Sequence, residues 1–286
     1  MRIEAFYRPK TIDDALALLD QISNAKIIAG GTDIVIAINE RKINPPALVD
    51  ITGIGELRRI WEERDILHIG AAVTFSELQS SELVRRYCPS LCEAASEMGA
   101  VQIRNIATIG GNVVNAAAAA DGVPPMLSMN ASAVVRSVGS VRCVPLAEII
   151  TGINQNSLAT NEMISEFQIQ DLPNTIKVFE KIGRRKALAI SRINLAVCAE
   201  MSGQMVKTIV VVVGAVGKTA YRVKEVEEHL YNKELSESVI ITAADIMDET
   251  VARNLAGRST TPYKRKIAWA VLKRSLERIA GGQGNE

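Results

Sequence analysis

Two short stretches carry the residue types from which a nucleotide site can be built: Ala29-Gly30-Gly31-Thr32-Asp33 and Thr108-Ile109-Gly110-Gly111-Asn112. Each joins adjacent glycines to small polar residues. Lys26-Ile27-Ile28 precedes the first, and Asn105-Ile106-Ala107 precedes the second. Glycine lacks a Cβ and adopts positive φ readily, so consecutive glycines let several backbone N–H groups converge on one anion. A lone pair of glycines would mean only a tight turn, but two loops of matching chemistry are expected to cradle a pyrophosphate. Thr32 or Asp33 is expected to cap a short helix through Ile38, which adds the positive end of a helix to the first loop. Neither loop fits the G-x-G-x-x-G fingerprint and no βαβ unit is expected around them, so a Rossmann site is not predicted.

Other candidate chemistry is sparse. Asp121 stands where five alanines end and Gly122-Val123-Pro124-Pro125 begins, and two readings stay open: a helix cap, or a partner for a cofactor hydroxyl. Cys88, Cys92, Cys143 and Cys198 include one close pair and no second, so they are read as buried apolar residues, not a zinc or iron–sulfur ligand set. His68 and His229 are too few for a histidine metal site or a Ser-His-Asp arrangement. Gly214-Ala215-Val216-Gly217-Lys218-Thr219 ends like a phosphate-binding P-loop, yet Val212 stands where that pattern needs glycine. A turn ending a strand is expected there instead.

The elements that must position these loops follow from periodicity. Over 286 residues two domains are expected, 1–173 and 174–286, the first in lobes of about 1–53 and 54–173, with a boundary at Pro173-Asn174-Thr175. In the first, helices are predicted from Thr11 to Leu19, from Thr74 to Leu78 with Glu77 completing a capping box, and from Leu91 to Met98. Strands are predicted over Ala47–Ile51, Arg59–Glu63 and Ile66–Gly70 about an Arg64-Asp65 turn, and over Ala133–Val135, Val141–Val144 and Met163–Phe167. In the second, strands at Lys177–Lys181, Leu195–Met201 and Thr208–Val213 follow a basic turn at Gly183-Arg184-Arg185-Lys186 or flank it. Helices then run from Val223, Ala243 and Tyr263, the last with Ala268, Leu272, Leu276 and Ile279 in one stripe.

With 33 basic and 32 acidic residues the formal charge is +1, and no Lys/Arg cluster is interleaved with aromatics, so nucleic acid and an anionic membrane surface are not expected partners. The first residues, from Met1 to Pro9, lack a signal-peptide apolar region, and the valine-rich run at Ile209–Val213 is too short to span a bilayer. A cytoplasmic location is expected.

Ile27-Ile28-Ala29-Gly30-Gly31-Thr32-Asp33-Ile34, then Gln102 through Asn112, then Ala120-Asp121, resemble the FAD-binding subunit of molybdenum hydroxylases of the xanthine dehydrogenase and nicotinate dehydrogenase type. The resemblance runs from Tyr7-Arg8-Pro9 to Tyr263-Lys264-Arg265. It implies an α+β fold: a two-lobed FAD-binding domain of the PCMH type, followed by a C-terminal domain of antiparallel sheet and helices. It implies that residues 27–34 and Thr108, Ile109, Gly110, Gly111 and Asn112 bind FAD, that Asp121 also contacts it, and that Ile164 and Lys181 line the site. It further implies a molybdopterin-binding large subunit, a 2Fe-2S small subunit, and transfer of electrons from FAD to NAD or another acceptor. Many members have Ser-Pro where this chain has Ala117-Ala118, which bears on redox potential or acceptor and not on FAD binding. Some carry an iron–sulfur cluster in this subunit, against which the cysteine spacing argues. The rival readings are a stand-alone FAD-dependent oxidoreductase and an assembly module that has lost FAD.

Overall fold

A computed structural model describes residues 3–185 and 189–281. The chain opens as β1 (Ala5–Tyr7), α1 (Ile12–Gln21), β2 (Lys26–Ile28), α2 (Ile34–Asn39) and β3 (Ala47–Asp50). Thr11 caps α1 by accepting from the Asp14 amide, and Ile12, Ala15, Leu16 and Leu19 bury the face opposite two exposed aspartates. The three strands are parallel in the order β1-β3-β2. This is a βαβ arrangement after all: strands of three or four residues are too short to show a period-2 pattern, so the sequence hid it. Asp50 fastens the sheet's end, accepting from Arg8 Nε at 2.8 Å and from the Thr52 amide and hydroxyl at 2.9 and 2.6 Å. Burial raises the Asp50 carboxyl, but these bonds outweigh it and hold the group below its ordinary range.

A second lobe follows. It comprises β4 (Ile60–Glu63), β5 (Ile66–Gly70), α3 (Phe75–Ser80), α4 (Glu82–Tyr87), α5 (Pro89–Glu97), α6 (Val101–Arg104), α7 (Ile109–Asn115), α8 (Val123–Ser128), β6 (Ser132–Ser137), β7 (Ser140–Pro145), α9 (Leu146–Ile149), β8 (Ile150–Gly152), β9 (Gln155–Asn156) and β10 (Met163–Gln170). Its antiparallel sheet runs β4-β5-β10-β6-β7. Leu67, Ile69, Ala133, Val135, Phe167 and Ile169 face inward onto the helices. On the other face Trp61 stacks on His68, whose Nδ1 lies 3.0 Å from Glu166, so this histidine is a sheet residue. The Thr74–Glu77 capping box is complete. Cys88, Cys92 and Cys198 are buried, but Cys143 is exposed, because on edge strand β7 it points to the outer face.

The last third packs β11 (Thr175–Gly183), β12 (Ser191–Ser202), β13 (Met205–Gly214) and β14 (Tyr221–Arg222) as an antiparallel sheet under α10 (Lys224–Leu230), α11 (Glu237–Asn254) and α12 (Thr261–Ala280). Ala268, Leu272, Leu276 and Ile279 are buried as their stripe predicts. Gly214 through Thr219 is a turn with Ala215 at φ 63°, not a phosphate loop. Arg184 and Arg185 of the basic turn are exposed; its Lys186, like Met1 and Arg2, lies outside the described residues. No helix among the described residues is long and apolar enough to cross a membrane.

Thr74→Ala removes the bonds between the Thr74 hydroxyl and Glu77 and is expected to lower the unfolding free energy by about 1 kcal/mol. A shifted urea midpoint with an unchanged slope checks this.

Candidate functional site

The two glycine loops meet. A Cβ on Gly30 would stand 1.8 Å from the Ile106 carbonyl oxygen and 2.9 Å from the Ala107 nitrogen, so only glycine allows the first loop to rest on the chain entering the second. Gly110 is equally constrained, its Cβ position being 2.5 Å from the Ala71 carbonyl oxygen. These glycines serve the approach of one backbone to another. Gly31 is different: its φ of 72° is a left-handed conformation that side chains oppose.

The loops differ in what their amides do. In the second, Ile109 and Gly110 donate to the Val73 and Ala71 carbonyls at 3.0 and 2.9 Å, and Asn112 donates to the Thr108 carbonyl at 3.0 Å. The Gly111 amide donates to the Thr108 hydroxyl, which caps α7. Four consecutive donors are therefore already engaged. In the first loop, the amides of Ala29, Gly30, Gly31, Thr32 and Asp33 have no acceptor among the described residues. The loop also ends a parallel strand and begins α2, with Asp33 at the N-cap position making no side-chain cap bond. Neither Thr32 nor Asp33 caps the helix, since the Thr32 hydroxyl turns to Asp33 at 3.4 Å. This row of free N–H groups is an anion cradle of the kind a diphosphate fits. Val35, Ile36 and Ile106 leave exposed apolar surface on the segments beside it.

The remaining candidates divide. Ile27, Ile28 and Ile34 are half-buried around the first loop, whereas Ile164 is buried in the core behind the second. Next to it, the Ser165 carbonyl accepts from Ala71, whose own carbonyl receives Gly110. Asn112 turns inward, its Oδ1 accepting from the Gly122 amide at 3.2 Å. Asp121 does not cap α8, whose N-cap is Gly122. Its carboxylate accepts from Lys181 Nζ at 2.6 Å, Ser191 Oγ at 2.5 Å and Asn194 Nδ2 at 2.7 Å, all from the β11–β14 sheet. Lys181 also donates to the Glu97 carbonyl at 2.8 Å, closing a bridge between α5, the alanine stretch and β11. Ser191 and Asn194 were beyond sequence reasoning, because nothing local in β12 marks the two polar residues that turn toward Asp121. Partial desolvation raises the Glu97 carboxyl; Lys181 opposes this, while Glu180, Asp121 and Glu93 reinforce it.

A βαβ lobe leading into a helix-rich antiparallel lobe, with one open amide loop where they touch, defines a nucleotide-binding α+β protein. Residues 1–171 match the family described as the FAD binding domain in molybdopterin dehydrogenase, and residues 177–279 match the CO dehydrogenase flavoprotein C-terminal domain. The chain belongs to this family, the FAD-binding medium subunits of molybdenum hydroxylases of the xanthine, nicotinate and CO dehydrogenase type. It is 33% identical over 289 residues to the nicotinate dehydrogenase FAD-subunit of Eubacterium barkeri, covering 97% of each chain. It is 29% identical to the xanthine dehydrogenase FAD-binding subunit of Escherichia coli O157:H7, with 99% and 98% covered. Among solved structures, it superposes with a TM-score of 0.90 and 30% identity on a chain of carbon monoxide dehydrogenase from Hydrogenophaga pseudoflava, covering 97% of this chain and 96% of that one. The cofactor is FAD, and the free amides of the first loop fit its diphosphate.

Lys181 and Asp121 have side chains only 5% and 7% exposed. Asp121→Asn leaves a buried ammonium without its counter-charge and is expected to cost about 3 kcal/mol of stability, most of it recovered in Asp121→Asn/Lys181→Met. Urea unfolding of the two variants checks this; equal losses in both would contradict it.

Proposed function

We propose that this chain is the electron-transferring flavoprotein subunit of a molybdopterin-dependent dehydrogenase. In this reading a molybdopterin-binding large subunit oxidises the substrate, a 2Fe-2S small subunit relays the electrons, and FAD on this chain passes them to NAD or another acceptor. The observation that carries it is the row of unpartnered amides at residues 29–33, seated by Gly30 against the segment leading to Thr108. Relatives named as FAD-subunits and medium chains support the assembly. The flavin supplies the redox chemistry when bound, so the protein's part is to hold and orient it.

Within this reading the amides from Ala29 to Asp33 hold the diphosphate. Ile27, Ile28 and Ile34 shape the loop's apolar walls. Thr108 to Asn112, in which the amides of Ile109 to Asn112 are already engaged, present a fixed surface through the exposed Gly111, and Ile164 braces it from the core. Asp121 and Lys181 hold the β11–β14 sheet over the site. The division into 1–173 and 174–286 then separates the binding unit from the part that closes on it. The free buried thiols Cys88, Cys92 and Cys198 accord with a reducing cytoplasm.

The full chain, purified gently, is expected to show a flavin absorbance spectrum and to release FAD on acid extraction. Gly31→Val forces its residue out of the left-handed region, turns the amides away, and is expected to weaken FAD binding by about tenfold, with the far-UV circular dichroism unchanged. A wild-type chain that neither carries nor takes up FAD would refute the flavin assignment. Purification without a cysteine-rich small chain and a large chain would favour a stand-alone flavoprotein.

A further inference from the structure

Among the described residues the buried ionisable side chains meet partners of the other ionic class, with one exception. Asp50 meets Arg8, His68 meets Glu166, Asp121 meets Lys181, and Glu227 meets Arg222. Lys177 meets no carboxylate. It is only 8% exposed, and its ammonium donates to the Leu172 carbonyl at 2.9 Å. A cation withdrawn from water is costly unless something nearby uses its charge.

What lies nearby is sulfur. Cys198 stands directly opposite Lys177 in the β11–β12 register, on the same face of the sheet, and is 5% exposed. That face packs on α5, and the two elements run in step: the Glu93 carboxylate receives the Phe179 amide, and the Glu97 carbonyl receives Lys181. Two residues of strand and four of helix each advance about 6–7 Å. The preceding match therefore sets Pro89, the first residue of α5, over Lys177 and Cys198. Cys88 is the N-cap of that helix and is fully buried, with its Sγ 3.4 Å from Ser90 Oγ. Cys198 is the single residue of the last third among the buried members of the core that holds Cys88. Burial pushes the Cys88 thiol up to about 11, with Ser90, the Leu91 amide and Lys177 working against it. Burial raises Cys198 as well, opposed by Thr175 and Lys177. Cys92 turns elsewhere, its Sγ donating to the Leu78 carbonyl at 3.3 Å.

The structure assigns Cys88, Cys198 and Lys177 to a redox-modification site, a dithiol that hydrogen peroxide closes to a disulfide bridging the second lobe and the β11–β14 sheet. Cys198, the less enclosed of the two, meets the peroxide. Its sulfur takes one peroxide oxygen as a hydroxyl, the O–O bond breaks, and the thiol proton reaches the departing hydroxide by way of the Lys177 amino group, releasing water. Cys88 then attacks the sulfenic sulfur. The S–S bond forms, the S–O bond breaks, and the Cys88 proton leaves with the hydroxide as a second water. In sum, two thiols and one hydrogen peroxide give one disulfide and two waters, with two electrons passing from sulfur to oxygen. The task of the unpaired ammonium is to hold the transient thiolate where burial opposes its charge.

The test uses the full chain with the exposed Cys143 changed to Ser, so that only the buried thiols report. The folded protein is treated with dilute hydrogen peroxide, quenched, unfolded in iodoacetamide and digested for mass spectrometry. The Cys88 and Cys198 peptides are expected to be recovered joined, with Cys92 alkylated. Lys177→Met is expected to slow closure by about tenfold, and Lys177→Arg to restore part of the rate. Cys92→Ser is the control and is expected to change nothing. The assignment is overturned if Cys88 and Cys198 are both alkylated at peroxide levels that oxidise Cys143 in the wild-type chain, if the bridge involves Cys92 instead, or if it forms only in urea-unfolded protein. Closure of Lys177→Met at the rate of the parent would overturn the role of the lysine. Should a lysine variant fail to fold, as circular dichroism would show, the peptide map of the Cys143→Ser chain still decides whether the bridge exists.

Discussion

The approach of Gly30 to the Ile106 carbonyl is the constraint on which the site depends. It brings a parallel βαβ lobe and a helix-rich antiparallel lobe together at a point where no side chain fits. Backbone polar groups are ordinarily paired when buried, and from Ile109 to Asn112 the second loop obeys this, its donors spent on Val73, Ala71 and Thr108. The first loop is held by contact through Gly30 and by its Gly31 and Asp33 carbonyls, which accept from Val35 and Ala37, while its amide donors stay open. One loop is the clamp and the other is the cradle, although their sequences look alike.

That asymmetry shows where sequence reasoning stops. Thr74-x-x-Glu77, the Arg64-Asp65 hairpin turn and the Ala268–Ile279 stripe are local patterns, and each becomes the structure its pattern predicts. The glycine loops were legible as candidates for the same reason. Whether an amide is free depends on a distant carbonyl, such as Ala71 for Gly110, and no local pattern reports it. The parallel first sheet was hidden by strands of three or four residues. The short helices α4, α6 and α7 carry too few turns for a 3.6-residue period to emerge. Cys143 was misjudged because cysteine's general preference for burial says nothing about which face of an edge strand it occupies.

Asp121 illustrates the same limit for a polar residue. Read locally it is a helix cap, but its three donors come from residues 60 or more positions away. A buried carboxylate persists only where such donors replace water. The β11–β14 sheet supplies them, so one side chain ties the closing sheet to the loop that leads into α8. Phe179 and Arg278 repeat the device, both donating to Glu93 on α5. The seam beside the site is therefore polar, with its carboxylates matched although the buried Asn194 Oδ1 has no partner among the described residues, and such pairing fixes orientation more tightly than apolar contact would.

A formal charge of +1 hides how unevenly that matching is distributed. Along the seam the carboxylates of Glu93, Asp121 and Glu180 each meet a cation. Elsewhere in the last third the exposed Lys207, Lys218 and Lys224 meet none among the described residues. Neutral amide dipoles can await a diphosphate at little cost, because exposed N–H groups are solvated in the meantime. The amide loop thus suits a tightly held cofactor that belongs to the folded protein.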